Sequence, residues 1–336
     1  MKALYIEQFG LDHLVLAEVP QPMAGPQQVL VQVRAASLNY LDLLVISGGF
    51  NPGLPLPHVP LSDVAGRVVA VGPGVTALAV GDDVVSTFIP QWRGGTPTAA
   101  DVAVAARPGL GVPGYLAEYV AVPAAALVRS PANLTPLEAA TLPIAGLTAW
   151  NALRYVQLEA GQTVLLHGTG GVSLFALQFA KARGARVIIT SKDDAKLARA
   201  AELGADHTLN YRTQPDWPTH VLDLTAGQGV DAVVETVGGD NLNQSLRALK
   251  IKGRIAIMGV LNGVTTRVDT LTLLGKQATL VGMEVGSTED FEAMNRAIET
   301  HDLHPVVDQV FPVAQLREAL LALQAGRHFG KIGLTF

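Results

Sequence analysis

The sequence predicts an α/β protein in which a doubly wound parallel sheet adjoins a mostly β domain. Three observations lead there. From Thr135 onward, short apolar runs alternate with Ala- and Leu-rich helical stretches. Before about residue 125, short strands sit between Pro and Gly turns. One glycine-rich turn joins the first strand of the alternating region to a helix. At 336 residues, 49% apolar and 16% charged, the chain fits two domains of ordinary size, or one domain split around another.

In the first region, Val29 to Ala35, Arg67 to Val71, Asp83 to Thr87 and Tyr119 to Val122 read as strands, separated by turn pairs such as Pro73-Gly74 and Gly81-Asp82. Residues 91 to 114, rich in Gly and Pro, read as a long loop, of a length that is often functional or mobile. A helical segment opens at Pro136 to Ala140. Six strands follow: Val164 to His167, Arg186 to Thr190, His207 to Asn210, Ala232 to Glu235, Arg254 to Met258 and Thr279 to Val281. Helical stretches at Leu174 to Arg183, Asp194 to Leu203 and Leu242 to Ala248 lie between them. The strands are continuous apolar runs, as a parallel sheet covered on both faces requires. A helix (Thr288 to Thr300), a short strand (Gln309 to Phe311), a helix (Ala314 to Gln324) and a last strand (Lys331 to Phe336) form a tail expected to return to the first domain.

Composition narrows the function. With 24 basic and 29 acidic side chains, a net charge of −5 and no Lys/Arg run, a nucleic-acid partner is not expected. The chain has no cysteine, which excludes disulfides and thiolate-held metals. Glu7 stands where a signal peptide would need its apolar stretch, and no run of about 18 uncharged apolar residues follows, so a cytoplasmic location without membrane contact is expected.

The strongest motif is Val164-Leu165-Leu166-His167-Gly168-Thr169-Gly170-Gly171-Val172-Ser173. Gly168 permits a tight turn, Gly170 lets a pyrophosphate approach the backbone, and the N-terminus of the following helix offers unpaired N–H groups and a positive dipole end. Ser173 replaces the third glycine of the usual pattern. Gly171 and Val172 complete the candidate phosphate cradle. The second strand ends in Thr190-Ser191-Lys192, where an NAD-binding chain carries a carboxylate for the ribose 2′-hydroxyl. Ser191, Lys192, Lys196 and Tyr211 instead offer groups for a 2′-phosphate, and NADPH is the expected cofactor. In the alternative, the lysines are solvated and Asp193 recognises the ribose.

Several segments together resemble the medium-chain dehydrogenase/reductase superfamily, in particular its zinc-free quinone-oxidoreductase-like branch. They are Ser37-Leu38-Asn39-Tyr40-Leu41-Asp42, the stretch from Val59 to Gly72, Gly81-Asp82-Asp83-Val84, the stretch from Thr141 to Trp150, and the glycine turn. The resemblance implies a GroES-like substrate domain (1–128 and 285–336) built around a Rossmann dinucleotide-binding domain (129–284), with the active site in the cleft between them. It implies Asn39 and Tyr40 facing the nicotinamide with Asp42 close behind, Thr148 near the cofactor, and Val237 and Gly259 beside the ribose and ring. It also implies a homodimer formed by pairing of the strand near Ala278 to Gly282. The zinc-dependent branch has a cysteine where this chain has Asn39 and a histidine where it has Ser62, so no metal site is expected, and His58 is read as a loop or cleft residue. The expected activity is hydride transfer from NADPH to a quinone, an activated alkene or a small carbonyl. The alternatives are a metal-free NADP-dependent alcohol dehydrogenase and an NADPH-binding protein without turnover.

Overall fold

The computed structural model describes all 336 residues. The chain divides into two compact units, Met1–Leu147 with Val285–Phe336, and Thr148–Glu284. The first opens with β1 (Lys2–Ile6), β2 (Leu14–Glu18), β3 (Gln28–Ser37), α1 (Tyr40–Ile46), β4 (Val64–Val71) and β5 (Asp83–Ser86). It continues through β6 (Tyr119–Pro123), β7 (Leu127–Arg129) and α2 (Pro136–Ala139). Next come α3 (Leu147–Tyr155), β8 (Thr163–His167), α4 (Gly171–Ala182), β9 (Arg186–Ser191), α5 (Asp194–Glu202) and β10 (His207–Asn210). After these follow α6 (Trp217–Leu224), β11 (Val230–Glu235), α7 (Asn241–Ala248), β12 (Leu249–Ile257), α8 (Thr270–Lys276) and β13 (Thr279–Gly282). The tail re-enters the first unit as α9 (Thr288–Thr300), β14 (Val307–Pro312), α10 (Leu316–Ala325) and β15 (Lys331–Thr335).

In the first unit, one sheet runs β14-β15-β3-β4-β5-β7, with β6 also paired to β3. The last strand therefore lies directly beside an early one: Gly333 pairs antiparallel with Ser37, and Leu38 N donates to Ile332 O at 3.0 Å. The tail belongs to this compact unit, which extends past residue 128 to Leu147. The cause is local bonding: Ala132 N donates to Glu299 Oε1 at 2.8 Å, Glu138 Oε1 meets His304 Nδ1 at 2.9 Å, and α2 packs on β3, β4 and β15. The loop at 91 to 114 contains only a single 3-10 turn, Val104–Ala106, yet it buries Trp92, Arg107 and Leu110.

In the second unit, six strands run β10-β9-β8-β11-β12-β13, every neighbouring pair parallel. The order reverses between β8 and β11, the switch point at which such sheets bind ligands. All five residues of β8 are buried, and Leu165, Ile188, Val233 and Ile255 from adjacent strands join one apolar core. Each such side chain contributes roughly 1.5–3 kcal/mol by leaving water. No helix of either unit is long and apolar enough to cross a membrane.

Candidate active site and cofactor edge

In the first unit, four side chains from three separate stretches of sequence close on one point. Asn39 is the N-cap of α1, in extended conformation, and its backbone N–H donates to Asp42 Oδ2 at 2.7 Å. Its Nδ2 donates to Asp63 Oδ2 at 2.8 Å, and its Oδ1 accepts from Lys331 Nζ at 2.7 Å. Lys331, first residue of β15, also donates to Leu38 O at 2.6 Å. Asp63, just before β4, accepts from Ser62 Oγ at 3.0 Å and from Ile144 N at 3.3 Å. Asn39, Asp42, Asp63 and Lys331 are all buried, whereas Tyr40, first residue of α1, is 43% exposed.

Two carboxylates and one ammonium in a dry pocket cannot all be charged without a deficit of one positive charge. Burial, reinforced by the neighbouring Asp63 carboxylate, pushes Asp42 up to about 7. Burial also raises Asp63, against the pull of Lys331, Asn39 and Ser62, and lowers Lys331, against the pull of the two carboxylates. The pocket therefore holds a proton more readily than two free carboxylates would. No three His, Cys, Asp or Glu side chains converge on a point suited to a metal ion. His58, expected to be a loop or cleft residue, is 4% exposed, bonds through its backbone to Ile6, and has its imidazole held below the ordinary range by burial.

In the second unit, the parallel strands bring the loops after β8, β9, β10, β11 and β12 to one edge. Gly168 has φ +71, a value glycine adopts freely, and its N–H donates to Thr190 O at 2.8 Å. A Cβ on Gly168 or Gly170 would meet nothing within 4 Å, so the turn faces open space. Gly170 caps α4, Gly171 and Val172 begin it, and Ser173 Oγ donates to His167 O at 2.6 Å, which explains how serine serves in place of a third glycine. The first-turn N–H groups of α4 lack intrahelical partners and point toward that space. Across the switch point, a Cβ on Gly259 would run into the backbone of Thr236 and Val237, so the loops after β11 and β12 lie in direct contact. Thr148 is buried in α3.

At the tip of β9, Ser191 is buried and Lys192 exposed. Asp193 Oδ1 accepts from Ala195 N and Lys196 N at 3.0 and 3.2 Å as the N-cap of α5. Asp194 Oδ1 accepts from Asn210 Nδ2 at 2.6 Å. Tyr211, 40% exposed, follows β10 and donates its N–H to Ser191 O at 3.1 Å. Ser191, Lys192, Lys196 and Tyr211 therefore gather where two neighbouring strands end, and both nearby carboxylates are committed to other bonds.

The sequence alone pointed to no role for Lys331, Glu235 or Ser245, and none for the His167 side chain. The available signal was an ionisable residue at the very end of a mostly apolar strand: Lys331 opens β15, His167 closes β8 and Glu235 closes β11.

Two family models match the chain: "Alcohol dehydrogenase GroES-like domain" over residues 25–132 and "Zinc-binding dehydrogenase" over residues 171–300. A zinc-type alcohol dehydrogenase-like protein of Schizosaccharomyces pombe is 43% identical over 94% of this chain and 93% of its own length. A quinone oxidoreductase of Homo sapiens is 26% identical over 95% of this chain and 92% of its own. A solved structure described as an NAD-dependent alcohol dehydrogenase superposes with a TM-score of 0.90 at 37% identity, covering 100% of both chains.

Proposed function

Because the chain belongs to the medium-chain dehydrogenase/reductase superfamily, we propose that it is a zinc-independent, NADPH-dependent oxidoreductase reducing a quinone, an activated alkene or a small carbonyl. The observation that carries the reading is the Lys331 ammonium on Asn39 Oδ1. A buried cation already offsets one of the two carboxylate charges there, and the amide, the hydroxyl and both carboxylates are engaged in hydrogen bonds with neighbouring groups, with no histidine or cysteine among them. The cofactor preference is supported by the β9 tip, where Asp193 and Asp194 are engaged and Lys192 is exposed beside Ser191. The glycine turn, with its open space and helix N-terminus, fits the pyrophosphate.

Reduced nicotinamide supplies a hydride when bound. The Tyr40 hydroxyl donates a hydrogen bond to the substrate oxygen as negative charge grows on it. Asn39 presents its second amide N–H to the same oxygen, its orientation fixed by Lys331 on one side and Asp63 on the other. Asp42 acts through the Asn39 backbone N–H and is a positioning residue. The reading includes a cytoplasmic homodimer.

The test is a panel of quinones, enones and aldehydes with NADPH, followed by loss of nicotinamide absorbance, with and without EDTA. Turnover of a quinone or enone that EDTA leaves intact supports the proposal. One zinc per chain by elemental analysis, lost together with activity, overturns it. A second reading, oxidation of an alcohol with a nicotinamide cofactor, is favoured by the 43% identical zinc-type alcohol dehydrogenase-like protein and the 37% identical NAD-dependent alcohol dehydrogenase. Turnover of alcohols alone in the same assay would select it, and tight NADPH binding with no turnover would mark a binding protein.

A further inference from the structure

Between the β8 and β11 strand ends lies a buried polar chain to which the proposed chemistry gives no role. His167 Nε2 is 2.9 Å from Ser245 Oγ, and Ser245 Oγ donates to Glu235 Oε2 at 2.6 Å. On the other side of the ring, His167 Nδ1 is 3.3 Å from Thr190 Oγ1. His167, Thr190, Ser245 and Glu235 are all buried, Glu235 and Ser245 completely.

The direction of every bond follows from counting protons. Glu235 only accepts: Val237 N at 2.9 Å, Gly238 N at 3.0 Å, Asn241 Nδ2 on both oxygens, and the Ser245 hydroxyl. Ser245 has one hydrogen and spends it on Glu235, so toward His167 it can only accept, and His167 must carry its proton on Nε2. Glu235 Oε2, 3.4 Å from the same nitrogen, favours that choice. Nδ1 is then a bare lone pair, and the Thr190 hydroxyl must donate to it. Burial holds the imidazole below its ordinary range against the opposing pull of Glu235, so the ring stays neutral at physiological pH. The Trp217 ring, 5.1 Å away at 66°, packs against the imidazole and limits its rotation.

The chain ends on the backbone that surrounds the open space. The His167 carbonyl precedes the glycine turn and accepts from both Ser173 Oγ and Thr236 Oγ1 at 2.6 and 2.9 Å. Glu235 gathers the N–H groups of the loop after β11, and Thr190 belongs to the tip of β9. We propose that His167 is a positioning residue for the dinucleotide, the centre of a proton-ordered chain, Thr190 to His167 to Ser245 to Glu235, that locks together three of the loops at the cofactor edge, those after β8, β9 and β11. The proposal rests on the reading of that edge as a dinucleotide site.

The experiment pairs NADPH and NADH titrations, followed by nicotinamide fluorescence, with ¹⁵N NMR of the His167 ring. In the wild type, Nε2 should be protonated and Nδ1 bare, with no change across neutral pH. Ser245→Ala should yield a mixture of ring tautomers and weaken both dinucleotides in parallel, by roughly 3–10-fold for one lost hydrogen bond. Ser245→Thr should restore both readouts. Thr190→Val, which removes only the donor to Nδ1, provides the same reading should Ser245→Ala not fold. Variants that change the tautomer while binding both dinucleotides as the wild type does would make the chain ordinary core and overturn the proposal. A wild type that binds neither dinucleotide would instead bring down the cofactor reading, and the proposal with it.

Discussion

Lys331 Nζ donates to Asn39 Oδ1 at 2.7 Å, linking residues 292 positions apart in a buried bond. The ammonium is the sole cation facing Asp42 and Asp63 in this cluster. Lys331→Met should therefore destabilise the protein by about 3–5 kcal/mol, the usual cost of stranding a buried charge. Urea unfolding measures it, and a loss below about 1 kcal/mol would mean that the cluster rearranges freely. Asn39→Ala strands Lys331 and Asp63 as well, at about 1–3 kcal/mol, so its effect on rate has to be read at temperatures where the variant is folded.

Tyr40→Phe is the cleaner probe of catalysis, because Tyr40 is largely exposed and lies outside the buried cluster. If its hydroxyl serves the substrate oxygen, kcat should fall while NADPH affinity holds. A fully dry oxyanion contact is worth about 2.7–4 kcal/mol, and a group this exposed should give less, roughly tenfold in rate. An unchanged kcat would indicate that solvent supplies the proton.

Asp42 makes stability depend on pH. In the unfolded chain it ionises near its ordinary 3.8, whereas in the folded protein it does so at about 7. Between these values the folded state holds a proton that the unfolded state has released, so this contribution to stability is complete below the unfolded value and is lost as pH rises through the folded one. Asp42→Asn keeps an acceptor for the Asn39 N–H and removes the titration. Denaturant midpoints at about pH 5 and about pH 8 should fall more for the wild type than for the variant. Parallel falls would assign the dependence to Asp63, whose carboxyl burial also raises.

Lys192→Ala should cut the preference for NADPH over NADH by about tenfold, one charge-assisted phosphate contact, while leaving NADH affinity unchanged. Competitive titrations report both numbers. A wild type that binds the two equally would assign ribose recognition to other groups.

The strand β13 forms the edge of its sheet, and nearby Leu271 and Leu274 are 80% and 72% exposed. Unpaired strand edges beside apolar surface invite pairing. Light scattering at micromolar concentration should find a dimer, and a monomer would remove the proposed edge pairing.

The parallel sheet was legible because its central strands, such as Val164 to His167 and Ala232 to Glu235, are written as short, mostly apolar runs, while the polar strand His207 to Asn210 and, outside that sheet, the helix Thr288 to Thr300 match the structure at both ends. The short helices α1, α6 and α8 escaped notice, whereas α7, equally short, was read because Leu242 and Leu246 stand four positions apart among polar residues. The glycine turn could be read because its chemistry is local. The buried cluster could not, because Asn39, Asp63 and Lys331 come together only through the pairing of β15 with β3, which no single stretch of sequence encodes.

That pairing also sets a timetable for synthesis. Leu38 and Lys331 are 293 positions apart, so at about 5–20 residues per second the ribosome needs on the order of 15–60 s between them. Thr148–Glu284 is contiguous and can fold in that interval, while β3 waits without β15 and Asp42 and Asp63 wait without their cation. The nascent first unit is thus a half-sheet with an open edge and an uncompensated acidic pocket, and the arrival of Lys331 closes both at once.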